Sequence, residues 1–340
     1  MTFHTVAHGQ GSLLLTNPDR EGGDSCQSEI LPLTSIPESA APRRGATLKV
    51  PFHVSPVIKV IAASVIWAGS WLAGHIVAQQ ALAPLHAASW RFFFGALGLL
   101  VLLLIRREPL PSRRAWGPMA VMALFGIVLY NVCFFYGLRF IPAGRASLIV
   151  AANPSLLLVA GAFMGERLTV RRILAVVVAF AGAALALTQG KFAAFVSGGV
   201  GLGDVVIGGC VIGWSVYTLA GRPAIKASSP IAATGYSTLL GTVIIWTLDA
   251  ALSPAAPAGD WPLKVWFALA FLGLMGTSLA FLWYMDAVYA LGPARAGAYL
   301  NLVPVFAVVL SALFQGEAIT VWTLAAAVLV PAGIWLMNSP

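Results

Sequence analysis

Two stretches of this chain place an arginine and a proline at the same spacing in otherwise apolar sequence, IPAGRASLIVAANP and LGPARAGAYLNLVP. Arg145 precedes Pro154, and Arg295 precedes Pro304, by nine residues in both cases. An arginine at the mouth of a site can bind a carboxylate or close a gate, and an interfacial cation is the alternative. A proline within a helix removes a backbone donor and bends the helix. Each stretch therefore predicts a charged mouth followed by a hinge, with a static kink as the alternative for the proline.

Two further ionisable side chains lie within apolar segments. Arg91 follows Pro84 by seven residues, which is about 10 Å along a helix. A charge at that depth needs a partner or a water-filled cavity, so Arg91 is a candidate for recognising a charged group. Asp286, near the end of its segment, is a candidate for proton coupling. For both residues we favour the alternative, a structural pairing with helix-end carbonyls or lipid phosphates, and more so for Asp286.

Aromatic and amide side chains recur near the middle of several apolar segments. Trp67 and Trp71 are four residues apart, and Trp214 and Tyr217 are three apart, so each pair shares one helix face. An aromatic cavity with few polar groups suits an amphipathic solute, whereas helix packing is the alternative for any single ring. The candidate lining residues are Trp67, Trp71, Arg91, Tyr130, Asn131, Asn153, Trp214, Tyr217, Trp283, Tyr284, Tyr299 and Asn301.

Composition predicts an integral membrane protein. Hydrophobic residues make up 59% of the chain and charged residues only 9%, whereas soluble proteins carry roughly a quarter charged residues. The longest aliphatic runs approach the ~20 residues that span a bilayer as a helix, and the alternating polarity of barrel strands is absent. The fold class is therefore all-α. The net charge of +8 comes from short basic loops, which are typical of topology signals and argue against nucleic acid.

Ten apolar segments follow a polar N-terminal region. Residues 1–50 are rich in Pro, Ser and Gly and predict a disordered cytoplasmic tail. Arg and Lys concentrate in the loops that face the cytoplasm if the N-terminus is inside, which predicts that both termini are cytoplasmic. The predicted spans are 57–79, 84–105, 115–137, 142–163, 170–189, 201–221, 231–252, 262–286, 293–314 and 319–337.

The ten segments form an internal repeat, 57–189 and 201–337. Each unit has five segments, and because five is odd the second unit must enter the membrane from the opposite side. Loop charges agree, since GERLTVRR (165–172) has three arginines and its counterpart GEAITVW (316–322) has none. Inverted repeats are the architecture of secondary transporters, with a binding site near the midplane between the halves. The aligned pairs include Trp67 and Trp214, Gly95 and Gly241, Arg145 and Arg295, Pro154 and Pro304, and Gly182 and Gly333.

The order of these motifs resembles the EamA-type branch of the drug/metabolite transporter (DMT) superfamily. The resemblance rests on WRFFFGAL with Arg91, on IPAGRAS and LGPARAG, on the following prolines in NPSLLL and VPVFAVVL, and on the closing Gly-Glu pairs at 165–166 and 316–317. It implies ten helices in two inverted five-helix units. Within the branch, the chain is similar to bacterial amino-acid exporters, including the YddG-like type. One departure is Ser237 near the place of Arg91 in the second unit, so any role of that arginine is one-sided.

We therefore expect a secondary transporter of the bacterial inner membrane that exports small metabolites by alternating access. Amino acids with aromatic or other apolar side chains are the expected substrates, and a multidrug or sugar/nucleotide-type transporter is the alternative. An intramembrane enzyme would need a catalytic constellation such as HExxH, which the sequence lacks, so the chain is predicted not to be an enzyme. The three cysteines have no metal-ligand spacing, and neither a metal nor another cofactor is expected. The expected partners are a small-molecule substrate and the lipid bilayer, with a monomer favoured over a dimer.

Overall fold

The chain divides into two compact units, Met1–His53 and Val54–Pro340, which are described separately. The structure is a computed structural model. The residues that it describes are 4–8, 12–16, 54–78, 80, 83–137, 139–141, 143–163, 165, 168–193, 199–253, 261–315 and 319–339.

The first unit contains an antiparallel β-hairpin within the segment predicted to be disordered. Strand β1 (His4–His8) pairs with β2 (Ser12–Thr16), so that His4 lies opposite Thr16 and His8 opposite Ser12. The structure thus differs from the predicted tail over these two strands, and the other residues of 1–50 lie outside the described residues.

The second unit is helical and forms ten spans, which confirms the predicted fold class. Nine helices of the described ranges are long and apolar enough to cross a membrane, and Pro56–Ser70 is a shorter apolar helix at the start of the first span. The spans are span 1, Pro56–Ala78; span 2, Pro84–Arg106; span 3, Arg113–Val121, Met122–Leu129 and Tyr130–Gly137; span 4, Ala143–Val150 and Asn153–Phe163; span 5, Val170–Thr188; span 6, Leu202–Lys226; span 7, Pro230–Leu252; span 8, Leu263–Phe271, Leu272–Leu279 and Ala280–Leu291; span 9, Pro293–Ala298, Tyr299–Asn301 and Leu302–Gln315; and span 10, Val321–Asn338.

Span ends follow local signals, with two exceptions. Thr169, Ser229 and Thr320 cap spans 5, 7 and 10, each accepting a hydrogen bond from the backbone N–H three residues later. Span 6 was expected to end at 221 but continues through Pro223 to Lys226. Span 8 was expected to end at 286 but reaches Leu291. A proline is tolerated in a membrane helix where neighbouring groups satisfy the freed carbonyl, so it is a weak stop signal here.

The main contacts that spans of one repeat make with the other repeat have equivalent contacts in which the two repeats exchange roles. Span 1 packs on span 8 as span 6 packs on span 3, and span 2 packs on span 8 as span 7 packs on span 3. Spans 2 and 7 contact each other, as do spans 5 and 10. This is the pattern that a two-fold relation between inverted units requires. We call the end of the bundle where odd-numbered spans begin the first end, and the end where even-numbered spans begin the second end.

The aligned glycines Gly182 and Gly333 bring spans 5 and 10 together. A Cβ on Gly182 would lie 2.9 Å from Leu329 Cβ, and one on Gly333 would lie 2.7 Å from Ala179 Cβ. Neither position has room for a methyl group unless the helices move apart. Small residues at such crossings allow helices in a membrane to approach closely. The repeat therefore places the same packing device on both sides of this interface.

We expect Gly333→Ala to lower the free energy of unfolding by about 1–3 kcal/mol, because the added methyl group overpacks the contact between spans 5 and 10. The matched control is Gly208→Ala in span 6, where an added Cβ would meet nothing within 4 Å. Thermal unfolding of the purified protein in detergent measures both. Equal unfolding temperatures for the two variants would contradict this packing.

Candidate functional site

Spans 3 and 8 each contain a π-helical segment at aligned positions, a feature that sequence reasoning missed. Met122–Leu129 and Leu272–Leu279 have eight residues each, and their first residues are 150 apart. In the second segment Thr277 Oγ1 donates to the carbonyl of Leu272 at 3.2 Å, five residues earlier. Such departures from α-helical hydrogen bonding recur at functional sites. The repeat thus carries an irregular helix into the interface between its two copies.

Glycines within these π-helical segments allow close helix crossings. A Cβ on Gly126 of span 3 would lie 2.5 Å from Tyr217 Cβ of span 6. A Cβ on Gly276 of span 8 would lie 2.8 Å from Ser70 Oγ of span 1. The repeat aligns Ser70 with Tyr217 and Gly126 with Gly276, so the two crossings are equivalent. Spans 1, 3, 6 and 8 therefore converge at the centre of the helical unit, Val54–Pro340.

Six rings from these four spans form what we call the central aromatic cluster. Its members are Trp67, Tyr130, Trp214, Tyr217, Phe281 and Tyr284. Trp214 is the hub, with its ring centroid between 5.1 and 5.8 Å from each of the other five. Pairs of this kind at these separations stabilise beyond the area that they bury. Five of the six members were predicted as lining residues.

The polar atoms of the cluster are only partly paired. The Trp67 indole N–H donates to the carbonyl of Gly276 at 2.9 Å. The Tyr284 hydroxyl lies 3.1 Å from Thr218 Oγ1. The aligned Trp214 indole N–H is buried next to the Tyr284 side chain. The cluster thus combines aromatic surface with a small number of buried polar atoms.

Phe281, not Trp283, supplies a ring of span 8 to the cluster. Phe281 and Tyr284 are three residues apart and share a helix face, whereas Trp283 points about 100° away from Tyr284. Trp283 is half-buried, and among the described residues it makes no ring contact with the cluster. The helical spacing of Phe281 and Tyr284 was the signal that could have identified Phe281. The side chain of Trp71, the remaining predicted ring of span 1, lies outside the described residues.

Span 4 breaks between Val150 and Asn153, immediately before Pro154. Pro154 cannot donate to the carbonyl of Val150. Asn153 Nδ2 donates to this carbonyl at 3.0 Å, and Asn153 Oδ1 accepts from the hydroxyl of Ser215 in span 6 at 3.2 Å. The break is therefore satisfied by one amide side chain and held to a neighbouring span.

Span 9 breaks at the aligned place, where a 3₁₀ segment, Tyr299–Asn301, precedes Pro304. Ser64 of span 1 donates to the carbonyl of Tyr299 at 3.2 Å. Asn301 is fully buried, yet neither Nδ2 nor Oδ1 of its amide has a hydrogen-bond partner in the described part of the chain. A buried unpaired amide is costly, so this group marks a place where a ligand or water can bind.

Arg145 and Arg295 differ in their partners although the repeat aligns them. Arg145 Nη2 donates to Asp204 Oδ2 at 2.9 Å and also to the carbonyl of Gly199, at the second end. Asp204 lies in the first turn of span 6, where the helix dipole favours a carboxylate. The residue aligned with Asp204 is Val57. Arg295 Nε is buried without a partner, and Arg295 forms no ion pair with any of the described residues, unlike Arg145.

Asp286 forms an ion pair with Lys59, which joins spans 1 and 8 near the first end. This pairing favours the structural alternative for Asp286. Arg91 is half-buried, and its Nε donates to Thr277 Oγ1 in the π-helical segment of span 8 at 3.2 Å. Asn131 is buried and donates to the carbonyl of Ile127 at 2.7 Å, while its Oδ1 has no partner among the described residues. Sequence reasoning did not identify Lys59 as the partner of Asp286.

The known proteins to which this chain is similar include relatives named as a transporter and as an exporter, and a crystal structure of similar fold. The "Uncharacterized transporter YyaM" of Bacillus subtilis is 28% identical over 74% of this chain and 83% of its own length. The "Probable terminal-alkyne amino-acid exporter" of Streptantibioticus cattleyicolor is 30% identical over 81% of this chain and 90% of its own. A crystal structure covering 84% of this chain and 98% of its own has a TM-score of 0.68 at 21% identity, which shows the same fold.

The two halves of the bundle also match one family description in turn. The EamA-like transporter family matches residues 54–188 and again residues 201–339. These two matches cover most of the chain and coincide with the two groups of five spans. The chain is a multi-pass membrane protein that belongs to the EamA-like transporter family.

Proposed function

We propose that this protein exports small amphipathic metabolites, with amino acids that carry aromatic or other apolar side chains as the main class. The proposal places it in the bacterial inner membrane with both termini in the cytoplasm, working by alternating access as a monomer. The observation that carries it is the central aromatic cluster, to which both repeats contribute rings. The name of the Streptantibioticus relative, an amino-acid exporter, supports the same substrate class.

The cluster and two buried asparagines of spans 3 and 9 offer complementary groups for such a substrate. The rings around Trp214 provide apolar surface for a side chain. The unpaired amide of Asn301 and Oδ1 of Asn131 can accept or donate hydrogen bonds to its polar head. A small-molecule site is usually lined by apolar side chains, with a few polar groups that fix one end of the ligand. These features support an amphipathic solute over a sugar, which would need more polar partners.

The unequal arginines support a role for the first end in binding the substrate carboxylate. At the second end, Arg145 is neutralised by Asp204 and holds spans 4 and 6 together. At the first end, the aligned Arg295 keeps a buried Nε without a partner in the described chain. A carboxylate on the substrate can take the place at Arg295 that Asp204 takes at Arg145. In this arrangement the second end is closed and the first end is ready to receive an anionic group.

The two helix breaks support a hinge role for Pro154 and Pro304. Both breaks lie at aligned positions between the charged mouth and the second half of the span. Discontinuous helices near the membrane centre are a common feature of secondary transporters, in which the halves move to expose a site alternately. Asn153 then acts as a structural link at one break, whereas Asn301 is available to the substrate at the other.

Counterflow in proteoliposomes tests the function. We expect labelled phenylalanine or leucine to exchange, and sugars or cationic drugs not to. Trp214→Ala should remove the hub of the cluster and lower exchange of aromatic relative to aliphatic amino acids by about tenfold, the size of one lost aromatic contact. Trp283→Ala is the matched control, because Trp283 lies outside the cluster and should leave the preference unchanged. Absence of amino-acid counterflow would refute the substrate class, and equal effects of the two variants would refute the site.

The two asparagines should separate stability from transport. Asn153→Ala leaves the carbonyl of Val150 and the hydroxyl of Ser215 without a partner, and should lower the free energy of unfolding by about 1–3 kcal/mol. Asn301→Ala removes an unpaired buried amide, and should leave stability unchanged or raise it while weakening substrate binding. Thermal unfolding and the KM of counterflow measure these effects. A more stable Asn153→Ala variant, or an unchanged KM in Asn301→Ala, would contradict the assignment.

A further inference from the structure

A histidine and an aspartate form a buried pair between the two repeats at the second end. His86 lies in the first turn of span 2, and Asp249 lies in the last turn of span 7. His86 Nδ1 is 2.8 Å from Asp249 Oδ2. The side chain of Asp249 is only 6% exposed and that of His86 18%. No proposed step of substrate binding uses this pair.

The pair has no counterpart at the other end of the bundle. The repeat aligns His86 with Ala232 and Asp249 with Leu103, and both of these residues are buried and apolar. The pair is therefore not a packing element that the duplication copied. Among the described residues this feature occurs at the second end alone, where it joins the two repeats.

Four buried polar atoms, two of the pair itself and two of neighbouring residues in span 2, have no hydrogen-bond partner within the described residues. They are Asp249 Oδ1, His86 Nε2, Ser89 Oγ and Trp90 Nε1. His86, Ser89 and Trp90 are three and four residues apart, so they lie on one face of span 2. Native interiors hold few unpaired polar groups, and a concentration of them marks a site where solvent or a ligand enters during function.

Aromatic rings shield the pair from solvent and lipid. Trp261 meets His86 edge-on with ring centroids 5.4 Å apart, and Trp266 lies 5.0 Å from Trp261 and 4.9 Å from Trp90. Trp246 of span 7 donates its indole N–H to the carbonyl of Ser89, three residues after His86, at 3.0 Å. The surroundings of the pair are therefore of low polarity, in which an unneutralised carboxylate is strongly disfavoured.

Few other charges face the pair from the elements around it, which are spans 1, 2, 7 and 8. Lys264, at the start of span 8, is exposed. Arg91, further along span 2, donates to Thr277. The side chain of His75 in span 1 and residue Asp260 lie outside the described residues. Among the described groups, His86 is thus the one titratable side chain that contacts Asp249.

We propose that His86 and Asp249 form a proton-binding site that latches the second end. When His86 carries a proton on both ring nitrogens and Asp249 is ionised, the two side chains make a hydrogen-bonded pair without net charge that can be buried. When His86 gives one of these protons to water, closing this end buries a carboxylate without a counter-charge, and the open form becomes more stable relative to the closed form. Opening of the second end therefore increases as the pair loses its proton, which a rise in pH favours.

The first readout, labelling of a cysteine at the second end, measures opening directly. The second readout, counterflow, rests on the proposed transport function. Ser89 is fully buried beside the pair, so a Ser89→Cys variant in a background lacking Cys26, Cys133 and Cys210 reports access to this end. A membrane-impermeant maleimide should label it several times faster at pH 8 than at pH 5, after correction for thiol ionisation measured on an exposed control, Leu202→Cys. Asp249→Asn should remove this dependence, and Asp249→Glu, which keeps the carboxylate, should retain it.

Counterflow over the same pH range separates this inference from the proposed function. Wild-type counterflow should change severalfold with pH, His86→Gln and Asp249→Asn should flatten the profile, and Asp286→Asn should keep its shape. A flat labelling profile in Ser89→Cys, or an unchanged profile in both pair variants, would overturn the latch. No counterflow at any pH, with pH-dependent labelling intact, would instead refute the substrate class and leave the latch standing.

Discussion

The carbonyl of Val150 cannot receive its usual helical hydrogen bond, because the residue four positions later is Pro154. In a bilayer no water replaces that bond, so a broken helix persists only where protein groups satisfy it. Asn153 supplies the donor, and Ser215 of the other repeat holds Asn153 in place. The break in span 4 therefore depends on contact with span 6. At the break in span 9, Ser64 of span 1 donates to the carbonyl of Tyr299, one residue before the Leu300 carbonyl to which Pro304 cannot donate.

The duplication produces the same backbone geometry twice, and function lies in the differences between the copies. The π-helical segments, the glycine crossings and the helix breaks recur at aligned positions. Arg145 recurs as Arg295, but the acidic partner of Arg145 and the pair of His86 and Asp249 do not recur. Asp204 has Val57 as its counterpart, and the pair of His86 and Asp249 has Ala232 and Leu103. Two ends with equal scaffolds but unequal charges can be closed and opened by different ligands, which is what directional transport requires.

The sequence was informative wherever one property of a residue decides its place. Apolar length determines a membrane span, and all ten spans were predicted. The repeat of Arg145 and Pro154 at Arg295 and Pro304 predicted the aligned helix breaks. Prediction failed where the outcome depends on a partner distant in sequence. The ion pair between Lys59 and Asp286 and the ion pair between Arg145 and Asp204 are of this kind, because pairing between spans depends on helix rotation as well as on charge.

Prediction from the sequence also failed for the direction of side chains and for the type of helix. Phe281 and Trp283 are equally aromatic, and only the rotation of span 8 places one in the cluster and the other outside it. The π-helical segments are eight residues long, too short for the spacing of their apolar residues to distinguish a π-helix from an α-helix. Their glycines and hydroxyls become meaningful only when the opposite helix is in place. In the N-terminal unit, the short paired strands at His4–His8 and Ser12–Thr16 were obscured by the polar sequence around them.

The central claim is that the two ends open in turn about the breaks in spans 4 and 9. Distances between spin labels test it most directly, with Phe140 and Leu202 labelled at the second end and Ile58 and Tyr289 at the first end, all of them exposed positions. Native cysteines are replaced in both double variants. On addition of substrate, the account predicts that one distance lengthens in the same population in which the other shortens. Distances that both stay fixed, or that lengthen together, would contradict it.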